Sequence, residues 1–128
     1  MPAGSDLKQR AKVSSATFTV GSESGNAINV VVQLRGLKNA DLGEKIALPW
    51  YLSSDATSQA LASAPSGGLV IGTDGLLIET LTDQAGLVVC EVDGDIDVTI
   101  TDTGTPTMYL NLVLPDGSIA TSGAITFA

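Results

Sequence analysis

The sequence predicts an all-β protein: a single antiparallel β-sandwich of about eight short strands. Three observations support this class. Apolar and polar residues alternate with a period of two in several segments, turn signals separate these segments about every 8–12 residues, and no long helical period occurs. The length of 128 residues fits one domain, and a hydrophobic fraction of 44% is enough to bury a core.

The first strands are predicted from alternation alone. Residues 13–20 alternate, and so do residues 27–35, whose β-branched side chains favour a strand. The third strand, 46–53, contains Pro49, which has no N–H to donate, so we expect this strand at an edge or at a bulge. Further strands are predicted at 69–71, 76–81, 87–92, 95–101, 107–114 and 118–127.

Turn residues predict how these strands connect. Residues 72–75 are expected to close a hairpin between 69–71 and 76–81, and Asp93-Gly94 a hairpin between 87–92 and 95–101. Pro115-Asp116-Gly117 is expected to close another. The least β-like segment is 54–68, where Asp55 is expected to cap a turn of helix through 59–62, with a loop and a short strand as the alternative.

Charge excludes some partners. The net charge is −8, which disfavours binding to nucleic acid. Lys8, Arg10 and Lys12 lie near the N-terminus, Arg35, Lys38 and Lys45 lie in or near one loop, and no basic residue follows. The sequence has no apolar run long enough for a spanning helix and no signal-peptide pattern at its start, so we expect cytosolic synthesis and no membrane contact.

The residue types present argue against common chemistries. There is no histidine, which excludes a Ser-His-Asp triad, and the one cysteine, Cys90, lies in an apolar run where a buried structural thiol is expected. A cluster of acids, Glu91, Asp93, Asp95, Asp97 and Asp102, suggests calcium ligands or, more simply, solvent-facing strand positions. No spacing selects a pair of carboxylates for glycoside hydrolysis, so we predict no catalytic residue, no metal and no cofactor.

Trp50 and Tyr51 allow two interpretations. Exposed together they would form a small binding patch, whereas a Trp in the third strand of a sandwich is typically a core residue. We therefore predict that Trp50 is buried.

The C-terminal motifs resemble a known group. The segments 93–98, 107–110, 113–118 and 122–127, together with 71–77, are similar to small tailed-phage virion proteins that carry an immunoglobulin-like β-sandwich. The resemblance covers roughly 13–128. It implies a decoration, or cement, subunit on the outside of the phage head, with the major capsid protein as partner. Related sandwiches on tails and fibres leave a carbohydrate- or host-binding module as the alternative.

The resemblance and the charge pattern together give a domain plan. Residues 1–12 are predicted to be an N-terminal arm, either mobile or with a short helical turn around 6–10, with a frayed terminus as the alternative, and residues 13–128 the sandwich. The predicted capsid interface comprises Lys8, Arg10, Lys12, Arg35, Lys38 and Lys45. We expect a homo-oligomer, with a trimer as the first hypothesis, assembled in the host cytoplasm and located on the capsid surface of the virion.

Overall fold

The computed structural model describes residues 13–128, which form ten strands and one short 3-10 turn at Leu37–Asn39. The predicted arm, 1–12, lies outside the described residues. The strands are β1 (Ser15–Val20), β2 (Ala27–Arg35), β3 (Ala47–Ser53), β4 (Leu69–Ile71), β5 (Leu76–Leu81), β6 (Ala85–Val89), β7 (Asp95–Thr101), β8 (Thr107–Val113), β9 (Ile119–Thr121) and β10 (Ile125–Thr126).

The strands form two antiparallel sheets. The four-stranded sheet has the order β1-β2-β7-β4, and the six-stranded sheet has the order β10-β8-β3-β6-β5, with β9 also paired to β8. The predicted all-β sandwich is therefore confirmed, in the two-sheet architecture of immunoglobulin-like domains. The predicted last strand is divided into β9 and β10, because the register against β8 shifts by one residue between them.

Alternation places the core between the sheets. On β2, β7 and β8 every second residue is apolar and points inward. Val30, Ile100 and Leu110, for example, are almost fully buried. The two inner faces interdigitate into one cluster that also contains Met108 and Phe127.

Trp50 lies in this core, as predicted, with 2% of its surface exposed. Its indole Nε1 donates a hydrogen bond to the carbonyl oxygen of Ile78 at 3.2 Å, so its one polar atom is satisfied. Between Trp50 and β5 lies Gly86, where a Cβ would overlap the backbone of Ile78. Glycine at 86 thus allows β5 to approach closely enough for this bond.

The predicted edge position of β3 is wrong, because β3 pairs with β6 on one side and with β8 on the other. Pro49 is tolerated there for a geometric reason. The bonds from Cys90 N to Ile46 O and from Leu52 N to Gln84 O show that even-numbered residues of β3 face β6. Pro49 therefore faces β8, at the point where pairing with β8 ends at Trp50.

Two predicted hairpins are also wrong. β4 pairs with β7 and β5 pairs with β6, so residues 72–75 and Asp93-Gly94 both carry the chain from one sheet to the other. Asp-Gly turns occur in both kinds of connection, and the choice is made by which apolar faces pack together. The hairpin at Pro115-Asp116-Gly117 is confirmed by the β8–β9 pairing.

Residues 54–62 form no helix. The carboxylate of Asp55 accepts hydrogen bonds from the backbone N–H groups of Gln59 and Ala60, so it caps a turn, as predicted, but the chain then leaves it. Leu61 forms an isolated bridge with Ser53, which agrees with the alternative of a loop carrying a short extended piece.

The burial of Trp50 predicts a large stability loss on truncation. Trp50→Ala removes the largest buried side chain and should lower the free energy of unfolding by about 3–5 kcal/mol, measured by urea unfolding followed by circular dichroism. Val31→Ala, on an exposed strand position, is the control and should change it by less than about 1 kcal/mol. A folded Trp50→Ala with unchanged stability would contradict a core role.

Candidate interaction surfaces

The predicted basic interface is only partly described. Lys8, Arg10 and Lys12 fall outside the described residues. Arg35 ends β2, Lys38 lies in the 3-10 turn with a left-handed backbone (φ 58°), and Lys45 is exposed before β3. These residues belong to the connection between the two sheets.

The guanidinium of Arg35 is engaged within its own loop. Its Nη1 lies 2.7 Å from Asp41 Oδ1, and its Nε donates to Thr17 Oγ1 at 2.9 Å. Both groups are partly solvent-exposed, so the pair holds the loop geometry more than it adds stability. Arg35 is therefore a less available contact for a partner than Lys38 or Lys45, which are both exposed.

The two adjacent aromatic residues form no exposed platform. Trp50 is in the core, and the half-buried Tyr51 donates its hydroxyl to the carbonyl oxygen of Ser58 at 2.6 Å. The carbohydrate-binding alternative consequently loses the aromatic pair that would have supported it.

Four of the five clustered acidic side chains, all except Asp95, accept hydrogen bonds from backbone N–H groups. Glu91 accepts from Gly75 N, Asp93 accepts from Asp95 N, and Asp102, which is buried, accepts from Ser66 N and Gly104 N. Within 13–128 no group of three or more potential ligands is placed to hold a metal ion. These acids shape loops at the ends of the sheets.

Asp97 holds the crossover between β4 and β5. Its carboxylate accepts hydrogen bonds from the backbone N–H groups of Asp74 and Thr73, and from the Asn29 amide at 3.3 Å. Partial desolvation alone would raise the pKa of Asp97, but these donors outweigh it and lower the pKa below the usual value. On the same face, desolvation and then the nearby charge of Asp93 raise the pKa of Asp95.

Cys90 is structural. Its thiol is buried, Sγ accepts from Ile46 N at 3.3 Å and donates to Glu44 O at 3.4 Å, and burial raises its pKa. A thiol held in the protonated form is a poor nucleophile.

A buried polar network was missed by sequence reasoning. Asn111 points to the outer face of the six-stranded sheet yet is fully buried, because residues 54–62 cover it. Its amide donates to Ser53 Oγ at 2.9 Å, and its Oδ1 accepts from Ser58 Oγ at 2.6 Å and Thr121 Oγ1 at 2.9 Å. This network fixes the loop onto the sheet.

A contiguous part of that outer face, away from Thr107 and Thr126, is apolar. Register places five outward residues side by side across five strands: Ile119 opposite Val113, Pro49 at the position next to Val113, Leu87 opposite Pro49, and Ile78 opposite Leu87. The neighbouring outward positions are Ala47, Val89 and Leu76. We name these eight residues the apolar patch; Ile78, Leu87 and Ile119 are 43%, 38% and 46% exposed.

The outer face of the four-stranded sheet is different. Its outward positions on β1, β2 and β7 are polar or charged except Ala27 and Val31, and on β4 only Val70 adds an exposed aliphatic side chain. The six-stranded sheet therefore exposes a contiguous group of apolar side chains that the four-stranded sheet lacks, although an outward sheet face is normally polar and solvated. Contiguous exposed apolar surface of this kind marks an interaction site.

The chain around the apolar patch is acidic. Asp116 is exposed in the turn that joins Val113 to Ile119, and Lys45 is exposed shortly before Ala47. Asp74 and Glu91 lie instead in connections between the sheets, where the backbone of Asp74 is hydrogen-bonded to Asp97 of the four-stranded sheet. Across 13–128 the chain has 13 acidic and 3 basic side chains, so the surface that carries the patch belongs to a strongly negative domain.

Comparisons with known proteins do not place the chain in a family. No family model matches it, and no curated protein is similar to it. Among solved structures it resembles a cohesin module from the family 33 glycoside hydrolase of Clostridium perfringens, with 16% identity over 89% of this chain and 93% of that chain, at a TM-score of 0.39. That likeness is too weak to bear on function. Within 13–128 there is also no helix with the length and apolarity to cross a membrane.

The Asn111 network predicts a stability loss out of proportion to its size. Asn111→Ala removes, in a covered site, the donor to Ser53 Oγ and the acceptor shared by Ser58 Oγ and Thr121 Oγ1, and should lower the free energy of unfolding by about 1–3 kcal/mol. Hydrogen exchange should also speed up in residues 54–62. Asn29→Ala, whose partners reach water, is the control and should cost less; equal losses would contradict the special role of the network.

The two aspartates of β7 predict opposite effects of neutralisation. Because the folded pKa of Asp97 is lowered, its stabilising effect is present above the unfolded pKa of about 3.9 and is lost as the pH falls through the folded value. Asp97→Asn should lower the free energy of unfolding at pH 7 by about 1 kcal/mol. The raised pKa of Asp95 means that ionisation there opposes folding above the folded pKa, so Asp95→Asn should increase stability at pH 7.

Chemical denaturation of both variants between pH 3 and pH 7 checks these signs. Both differences from the wild type should shrink as the pH falls below about 4, where the unfolded-state carboxyls are protonated. Effects of the same sign in the two variants would contradict the electrostatic interpretation.

Proposed function

We propose that this chain is a non-catalytic structural protein of a tailed-phage virion, a decoration subunit that binds the outer surface of the head. The observation that carries the proposal is the apolar patch on the outside of an otherwise complete sandwich. Such a surface suits contact with another protein. The strand and turn motifs that resemble small phage virion sandwiches supply the location.

Decoration by many weak contacts fits the chemistry of the chain. In residues 13–128 Asp97 and Glu91 bind backbone N–H groups, the thiol is buried and no buried side-chain nitrogen or oxygen lacks a partner. A head offers many equivalent sites, so modest contacts per subunit stabilise the shell collectively. We propose the major capsid protein as partner and a homo-oligomer, with a trimer as the first hypothesis, as the bound form.

Binding to heads tests the role directly. Heads purified from a phage strain lacking this protein should bind the purified chain saturably, in many copies, and should then resist heating better than bare heads. Electron microscopy of the saturated particles should show added density on the outer surface. Heads that bind none of the chain would overturn the proposal.

Residues 1–12 provide a second test. Lys8, Arg10 and Lys12 give this segment three positive charges against one negative, whereas the rest of the chain is acidic. Deleting 1–12 should weaken head binding at least about tenfold, measured by co-sedimentation. The matched control replaces only these three basic residues with Ser, and a similar loss would assign the effect to charge. Unchanged binding after deletion would remove this segment from the interface.

A further inference from the structure

The geometry points to the apolar patch as a docking site for a folded protein of a different kind, which presents an apolar centre surrounded by Lys and Arg. This inference rests on the proposed function and names the surface and the partner chemistry. It differs from the basic interface expected from the sequence, because it places the main contact on the six-stranded sheet.

The size of the apolar patch argues for a folded partner. It crosses β9, β8, β3, β6 and β5, and at about 4.8 Å per strand spacing it is about 20 Å wide. A single extended segment covers the width of about one strand. A broad sheet face is instead matched by another broad surface, as in interfaces with an apolar core and a polar rim.

The composition of the apolar patch means that its burial carries little desolvation penalty. None of its eight side chains carries a polar atom, so covering them removes apolar surface from water without breaking side-chain hydrogen bonds. Leu87 lies near the centre, between Pro49, the middle residue of the five-strand row, and Ile78. A central residue of this kind is where the binding free energy of an interface concentrates.

Charge decides between a second copy and a different protein. Two copies meeting through this face would bring together two strongly acidic domains, with Asp116 of each beside the patch, and like charges at an interface oppose association. A partner with basic residues around its apolar centre complements the same rim. Charge complementarity thus favours a different, basic-rimmed surface.

Leu87→Lys tests the centre of the apolar patch. Its side chain is exposed, so a lysine there is compatible with folding, which circular dichroism and the urea midpoint would verify. The control is Val31→Lys, at a similarly exposed strand position (43% against 38%) on the opposite face. Using heads that lack the protein as the probe, Leu87→Lys should weaken binding at least about 30-fold, and Val31→Lys less than threefold.

Rim charge is tested on the same heads. Asp116→Lys should weaken binding and reduce its dependence on salt, because it removes one attraction at the edge of the apolar patch. Wild-type binding to heads by Leu87→Lys would overturn the inference while leaving decoration intact. Stronger binding by Asp116→Lys would overturn the basic-rim assignment.

A crosslink separates this inference from the proposed function. If wild-type protein fails to bind heads, decoration fails, and a photoreactive phenylalanine analogue placed at position 87 or at position 31 in infected cells decides the docking question. A crosslink from 87, but not 31, to a Lys- or Arg-bearing segment of another protein supports the inference. A crosslink from 87 to residues 1–12 or to a second copy, or none from 87, overturns it.

Sedimentation velocity of the purified chain tests whether a second copy occupies the apolar patch. The wild type and Leu87→Lys should have the same oligomeric state, because the apolar patch does not mediate self-association. A dimer that this substitution dissociates would identify a second copy as the occupant of the apolar patch.

Discussion

The structure depends on the packing of two pleated inner faces around a single indole. Trp50 fills the space between the sheets, and the absence of a side chain at Gly86 brings the carbonyl of Ile78 within reach of its N–H. Each strand must keep its alternation for this core to close, since a slip of one residue would turn every apolar side chain outward. The crossovers between sheets follow from that requirement.

Many of the strands can be predicted from local sequence patterns, and the wrong predictions about strand pairing share one physical cause. Alternation predicts β2 and β7 at the bounds that the structure shows, because burial on one face imposes a period of two, and the turn residues 72–75 predict the bounds of β4 and β5 around them. The dipeptide Asp93-Gly94 is the same whether the turn closes a hairpin or connects two sheets. Pro49 is typical of an edge strand, and only the structure shows that its nitrogen faces β8 just beyond the last paired residue, Trp50. Pairing partners are set by contacts far apart in the chain.

The candidate surface was harder to predict for the same reason. Each of the five strands that form the apolar patch contributes only one or two outward aliphatic residues to it, which is ordinary for a single strand. Only register aligns Ile119, Leu87 and Ile78 on one face and reveals that Asn111 is covered by a loop. The basic residues stand out in the sequence, yet Arg35 is largely occupied by Asp41.

The connections at 72–75 and 93–94, which join the two sheets, also affect the order in which the chain folds. The β5–β6 hairpin lies inside the pair formed by β4 and β7, so closing a turn of a few residues brings together strands that are about thirty residues apart along the chain. The hairpin shortens the effective loop between β4 and β7, and so lowers the entropy cost of joining the two sheets. Residues 69–101 are thereby suited to act as a nucleus, and the distant β2 then adds to an edge of β7 that is already in place.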